Sequence, residues 1–491
     1  MNIGDGTTAG TGIYIGNGGT GATKPSTVEI GDGTTTGGAN ISLNGKNGVG
    51  AIVTTKSNAV FNKYSTITFT GAGVGIYGQK GAIITDKGGT LITNGNSVER
   101  TRITEGSSRI ENDLTGINAV DTGNIVSHVI NGEAIVDSGI TIEAKSNSKN
   151  IIGLMADGNK EPYPSHVTWA GARDYEAINN GIIDLSNATT STAMYLDSSR
   201  GINNEEIIVG DKSTGIYGIY NKGTLTYSAA SPGTKNLGKI KTIAGSKITI
   251  GKESAAIYSV GFDKVENDGK IEGDKQSVGI YATNSASNDY KAINVENNGE
   301  ITLGDGSAGI YVAPDSLTKD TTISTVTNTG NITVGDSILN SVTGKAESTS
   351  VGIFVKHKTI LNTTGDITIG NKGFALYGND STLNVNGGDY DFSNNGSLAY
   401  LENGATLNYN KTGTLTTSSE PMLFIVDSEA NMNKNDIIVS TKGTGIYMTG
   451  TSKFSGWNNI TLNNGSTGIY ADDSDATVTG KKIIGTSDKA K

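Results

Sequence analysis

The sequence predicts an all-β chain wound as a right-handed parallel β-helix, a solenoid with rungs of about 23 residues and loop excursions. Three observations carry the prediction. A short aromatic motif recurs along the chain. Between its copies apolar and polar residues alternate with the two-residue period of a half-buried strand. The composition is that of a repeat with little interior: 70 of 491 residues are Gly, 34% are hydrophobic and only 6 are Pro. No strict Gly-X-Y period is present, so the glycine does not mean collagen.

The aromatic motif is the first element. Gly-Ile-Tyr stands at Gly12–Tyr14, Gly75–Tyr77, Gly215–Tyr217, Gly279–Tyr281, Gly309–Tyr311, Gly445–Tyr447 and Gly468–Tyr470. Looser copies end at Tyr195, Tyr258, Phe354, Tyr377, Tyr400 and Phe424. From Phe354 the aromatic positions are 354, 377, 400, 424, 447 and 470, a step of 23 or 24 residues. Strand alternation puts Ile446 and Met448 on one side and Tyr447 on the other, and likewise Ile310 and Val312 against Tyr311. The aliphatic side chains are expected to face the core, with Ile446 and Ile469 stacked in neighbouring rungs. The Tyr residues are expected to form an outward ladder, stabilised by stacking or offering a stripe for flat sugar faces.

The second element reads Asn-x-Gly-x-Ile-Thr-apolar-Gly, at Asn297–Gly304, Asn328–Gly335 and, with one extra residue, Asn362–Gly370. Asp, Asn and Gly cluster just after it, as in Gly304-Asp305-Gly306 and Gly210-Asp211-Lys212. These residues tolerate left-handed backbone and mark turns. Gly, Asn and Thr are assigned to corners and outer strand faces. A unit of two or three short strands cannot bury its own apolar face, so successive units pair with one another. At about 4.8 Å per rung, roughly 21 rungs would make a rod of about 100 Å. The expected organisation is one β-helix over residues 1–491, most regular over 180–484. The Tyr punctuation lapses between Tyr77 and Tyr195, which marks an irregular or insertion-bearing stretch at about 96–178.

The charge balance, 38 basic against 48 acidic residues and a net −10, lacks the basic footprint of a nucleic-acid binder. The absence of Cys excludes disulfides, thiolate metal sites and a cysteine nucleophile. No apolar run is long enough for a transmembrane helix. Met1–Gly6 does not read as a signal peptide, and both ends are expected to be cuts through a longer protein. His128, His166 and His357 lie far apart in sequence, without a Ser/Asp partner pattern. The acidic candidates Asp211, Asp305 and Asp336 recur with the turn, which points to backbone capping instead of general acid–base work. Asp472-Asp473-Ser474-Asp475 lacks the glycine and distal Glu of a calcium loop. No catalytic residue, metal site or cofactor is assigned.

One segment departs from the repeat. The excursion 156–175 holds two of the six Pro, one of the two Trp and one of the three His. Loops leaving a rigid solenoid are the usual place for function, and Trp, Tyr and Arg are the usual binding hot spots. Tyr163, His166, Trp169, Arg173 and Tyr175 are therefore the candidate partner-binding residues. The alternative is a structural excursion whose Trp169 packs on the rod. Smaller excursions are expected at 284–290, 228–237 and 313–320.

The recurring Gly-Ile-Tyr beside Asn-x-Gly-x-Ile-Thr-apolar-Gly resembles the passenger repeats of the large fusobacterial type V autotransporter adhesins, the RadD-like and galactose-inhibitable groups. The resemblance is best over 180–484. It implies a passenger segment exported to the bacterial cell surface, with a C-terminal outer-membrane barrel elsewhere in the full protein. It implies a non-enzymatic, monomeric adhesin that attaches to a host-cell protein or glycan, or to a partner bacterium. It transfers no binding residue. Two other readings stay open: a carbohydrate-active β-helix enzyme of the phage-tailspike kind, and a spacer stalk of a larger adhesin.

Overall fold

The structure is a computed structural model that describes residues 2–3, 11–15, 27–32, 34, 39–44, 47–54, 57–79, 81–93, 98–104, 106–111, 113–119, 123–158, 176–220, 238–284, 292–315 and 323–486. The regular elements among them are strands, wound as a parallel β-helix. The chain divides into two compact units, Met1–Phe262 and Asp263–Lys491. In each unit successive coils contribute strands to three parallel sheets and pair in register from coil to coil; the third sheet ends at Tyr390–Asp391, after which Thr414–Thr416 and Asp436–Val439 pair within the second sheet.

In the second unit one coil runs through Val351–Lys356, Ile360–Thr363 and Ile367–Ile369. The next runs through Phe374–Asn379, Thr382–Val385 and Tyr390–Asp391, paired in parallel with the first on all three faces. The first strand of each coil carries the aromatic motif, the second the asparagines, the third Ile-Thr-apolar. Near the end of the unit Lys453–Leu462 is one long strand that pairs with both Glu429–Met432 and Asp436–Val439.

The aromatic strands carry two consecutive inward residues, the small residue and the aliphatic of Gly-Ile-Tyr, followed by the outward ring. Inward, Ile280, Ile310, Ile353, Leu376, Ala399, Leu423 and Ile446 form one buried column in register. Ile446 and Met448 are buried while Tyr447 lies on the outer face, which is the parity expected from the alternation. Ile469 continues the column but is only half-buried.

The step of 23 or 24 holds from Phe354 to Tyr470. Elsewhere the step varies, from 22 residues between Tyr195 and Tyr217 to 43 between Tyr311 and Phe354, and nine aromatic-face strands are described in the first unit and eight in the second. Within the stretch 96–178 the coil continues. Val98–Thr104, Asn124–Ile130 and Ile151–Asp157 pair in parallel, and Arg102, His128 and Met155 occupy the outward slot held elsewhere by Tyr. The lapse in Tyr is a change of residue, with the strand kept. Ala156 and Asp157 belong to that last strand and not to an excursion.

The asparagines are a correction to the assignment of Asn to corners and outer faces. Asn267, Asn297 and Asn328 are fully buried and in register. Asn267 Nδ2 donates to Asn297 Oδ1 at 2.7 Å, and Asn297 Nδ2 to Asn328 Oδ1 at 2.7 Å. Each Nδ2 also reaches the carbonyl two residues on, at Gly269, Gly299 and Gly330. The Gly is required by the neighbouring coil: a Cβ on Gly330 would stand 1.9 Å from the Gly299 carbonyl oxygen. Thus Asn-x-Gly is one device, an amide that caps its own turn and ties it to the next. In the following coil the slot belongs to Thr363, not Asn362, which faces outward opposite Thr327. Asn179 and Asn203 repeat the pairing in the first unit at 2.8 Å.

One charged pair sits in the interior of the first unit. Arg100, fully buried, takes the slot held by the small residue elsewhere, ahead of Thr101, which stands in register with Ile76. It meets buried Asp86 through Nε at 2.6 Å and Nη2 at 3.0 Å, and donates further to the carbonyls of Thr90 and Gly88. Its guanidinium lies 5.2 Å from the Phe61 ring centre.

Candidate functional site

The outer aromatic face is the most extensive ordered chemical feature. In the first unit Tyr195, Tyr217 and Tyr258 stack with ring centres 5.1 and 5.3 Å apart. In the second, Tyr281, Tyr311, Phe354, Tyr377, Tyr400, Phe424, Tyr447 and Tyr470 follow one another at 4.2–5.8 Å. Phe374 stands edge-on to Tyr377, Tyr400 and Phe424. The ladder arises because parallel in-register pairing repeats a residue type at each rung spacing, and rings at that spacing stack. Ring faces inside the ladder are therefore taken up by neighbouring rings. Edges and hydroxyls point outward, which suits hydrogen bonding better than stacking on a flat sugar.

Burial raises the pKa of several of these phenols. The Tyr195 hydroxyl is pushed up to about 12, by burial first and then by Asp197. Burial also raises Tyr217, Tyr311 and Tyr400. Burial raises Tyr377, whose hydroxyl donates to Glu402 Oε1 at 2.9 Å, a bond that adds to the shift. Tyr447 donates to Asp472 Oδ2 at 3.3 Å.

The acidic turn residues are engaged by backbone. Asp211 Oδ1 accepts from the Lys252 N–H at 2.9 Å, Asp305 Oδ1 from Asp336 N–H at 2.9 Å, and Asp336 Oδ1 from Asn371 N–H at 2.7 Å. Glycine makes room for them, since a Cβ on Gly335 would lie 2.4 Å from Asp305 Oδ1. These carboxylates cap the next coil. His128 and His357 belong to different units. His128 Nδ1 lies 3.2 Å from Glu99 Oε1, and His357 Nδ1 3.8 Å from Asp380 Oδ2. No cluster of three metal-ligating side chains occurs among the described residues.

The candidates Tyr163, His166, Trp169, Arg173 and Tyr175 lie outside the described residues, as does His166's whole segment, 159–175. Segment 159–175 falls in sequence between the aromatic strand Ile151–Asp157 and the asparagine-face strand Glu176–Asn179. Segment 221–237 falls in sequence between strands of the same two kinds, Thr214–Ile219 and Lys239–Thr242. In the second unit 285–291 and 316–322 do so as well, after Val278–Thr283 and Ala308–Val312. The three smaller excursions read from the sequence lie largely in these segments. Their shared kind of flank was not visible, because it requires knowing which strand precedes each segment.

Two surface features escaped the sequence reading. Ile338–Leu339 and Ala346–Ser348 form an antiparallel hairpin off a different corner, with Val342 at its tip 90% exposed. An outer amide ladder, Asn362–Asn384–Asn408–Asn431, links four coils at 2.9–3.2 Å and ends on the Ser455 hydroxyl. Both could have been sought, the first as a long gap between motifs and the second as Asn at a fixed step of 22 to 24.

No protein-family profile, curated protein or solved structure gives a significant match to this chain.

Proposed function

We propose that the chain is a non-enzymatic segment of a bacterial cell-surface adhesin, the exported passenger of a type V autotransporter. In this reading each β-helical unit is a scaffold, and the loops at one corner attach to a host-cell protein or glycan or to a partner bacterium. The observation that carries it is the placing of the longer insertions. Segments 159–175, 221–237, 285–291 and 316–322 all fall between an aromatic strand and an asparagine strand. Repeat scaffolds gather insertions on one side when that side binds. The capping duty of Asp211, Asp305 and Asp336 further supports a scaffold over a polysaccharide-cleaving groove.

The test is attachment of the purified chain to epithelial cells and to partner bacteria, with arginine and galactose as competitors. Replacing Tyr163, Trp169 and Arg173 together by Ala is expected to weaken attachment while the circular dichroism spectrum and Tm stay unchanged. Undiminished attachment with an intact fold removes those residues from the site. An intact chain that attaches to nothing favours the spacer stalk, and release of reducing sugar from surface glycans favours the enzyme.

A further inference from the structure

The aromatic ladder contains a pair of tyrosines set up for chemistry that the adhesive reading does not use. Tyr377 and Tyr400 occupy the same slot in consecutive coils. Their rings lie 4.9 Å apart, 21° from parallel, on the outer face and half-buried. A carboxylate stands at one hydroxyl: Tyr377 donates to Glu402 Oε1 at 2.9 Å, and Asn379 Nδ2 holds that same oxygen at 2.5 Å. Phenylalanines bracket the pair, Phe354 at 4.9 Å on one side and Phe424 at 5.6 Å on the other. Phe374 lies edge-on to both tyrosines.

We propose that Tyr377 and Tyr400 are a site of oxidative cross-linking, joined within one chain as dityrosine by a haem peroxidase acting with hydrogen peroxide. A phenol loses an electron readily only when its proton can leave with it, and Glu402 is in place to take the proton of Tyr377. Phenylalanine is much harder to oxidise than tyrosine. An unpaired electron on either ring therefore passes first within the pair, because the adjacent ladder ring on each side is Phe. Each tyrosine gives up one electron and one phenolic proton. The two radicals join between ring carbons ortho to oxygen, one Cε from each residue. The hydrogens on those carbons then move to the oxygens and restore both phenols. The sum is two tyrosines and one hydrogen peroxide giving one biaryl bond and two waters. Parallel pairing holds the two backbones one strand spacing apart, and both rings are partly exposed on the outer face, where they can tilt into contact. The product is a covalent staple between coils in a chain with no Cys.

The test is treatment of the dilute, folded full chain with peroxidase and hydrogen peroxide, followed by peptide mapping. Trypsin leaves both tyrosines in one peptide, because no Lys or Arg lies between Lys372 and Lys411. A protease cutting before Asp separates them at Asp380, Asp389 and Asp391. The expected product is the two peptides joined with loss of two hydrogens, in a yield independent of protein concentration. Tyr400→Phe should abolish this product, and Glu402→Gln should slow its formation severalfold with an unchanged circular dichroism spectrum. Tyr14, 69% exposed, reports that the oxidant is active. Oxidation of Tyr14 without the Tyr377–Tyr400 product would overturn the proposal. So would a product found only in dimers and rising with concentration. An unaltered rate in Glu402→Gln would overturn the role given to the carboxylate.

Discussion

Replacing Asn297 by Ala should be among the most damaging single changes in the second unit, although it removes no apolar surface. The fully buried side chain makes three bonds: it accepts from Asn267 Nδ2 at 2.7 Å and donates to Asn328 Oδ1 at 2.7 Å and to Gly299 O at 3.1 Å. Alanine leaves three groups inside the coil without that partner. Each buried polar group so orphaned costs about 1–3 kcal/mol, giving roughly 3–9 kcal/mol where no water enters. The outer ladder supplies the control. Asn384 makes two comparable bonds, to Asn362 and from Asn408, at 3.0 and 2.9 Å on the half-exposed face. Water can replace them there, so Asn384→Ala should cost under about 1 kcal/mol. A repeat array unfolds in parts, so the readout should be local as well as global. Urea unfolding followed by circular dichroism gives the global loss. Amide exchange across Asn294–Asn297 and Thr325–Asn328 gives the local one, with protection falling at least a hundredfold in Asn297→Ala. Equal small losses in the two variants would show that the interior amides are hydrated, and the reasoning would fail.

Further outcomes follow from the same geometry. Ile446→Asp buries an unpaired charge in the inward column and should cost several kcal/mol in urea unfolding, whereas Tyr447→Asp on the outer face should be milder; the reverse order would mean inverted strand parity. Arg100→Ala strands Asp86 in the interior and should cost about 3–5 kcal/mol, while the double change Asp86→Leu with Arg100→Met should recover most of that loss. Stability should fall at alkaline pH: a free tyrosine ionises near about 10, whereas burial pushes Tyr195 and Tyr409 up to about 12. Their contribution is complete below the unfolded value and is lost as pH rises from there through the folded value, so phenolate absorbance and unfolding should appear together. A chelator should leave Tm unchanged, since no metal-ligating cluster occurs among the described residues; a large drop would reveal an ion.

What was legible in the sequence is what repeats at every coil. The Tyr ladder and the inward aliphatic column could be read because parallel register returns the same residue type to the same place, and a two-residue period assigns its face. The fate of Asn297 and Asn328 was not legible, because alternation says only that Asn and the following residue face opposite ways. Choosing the inside needs the Gly two residues on, whose closeness to the neighbouring coil becomes clear only in three dimensions. The same ambiguity displaced the motif by one residue at Asn362, where Thr363 takes the buried slot. Between Tyr77 and Tyr195 the search for aromatic rings passed over Arg102, His128 and Met155, which sit on the same strands. A slot on the outer face demands a strand-forming neighbour more than it demands a ring, so its residue type drifts while the register persists.

The candidate site separates along the same line. Composition alone singled out Tyr163, His166, Trp169, Arg173 and Tyr175, and such a signal says what could bind without saying where it is held. The flanking strands supply the missing half. Four segments outside the described residues follow an aromatic strand in sequence, and the carboxylates that might otherwise suggest catalysis are spent on N–H groups after the Ile-Thr strand. At the Gly-Asp corner length is added only beyond the carboxylate: the Ile338–Ser348 hairpin follows Asp336, and the caps from Asp336 N–H to Asp305 and from Asn371 N–H to Asp336 are kept. The corner after the aromatic strand is tied between coils at particular places, as where Asn284 Oδ1 accepts from Asp315 N–H and Asp427 Oδ1 from Thr451 N–H, and without a repeated Gly-Asp device. On this argument insertion of a short Gly-Ser segment after Asp197 should be tolerated with little change in Tm. The same insertion between Gly335 and Asp336 should lower it by breaking the caps to Asp305 and Asn371. Equal tolerance at both corners would mean that the placing of the insertions owes nothing to the scaffold.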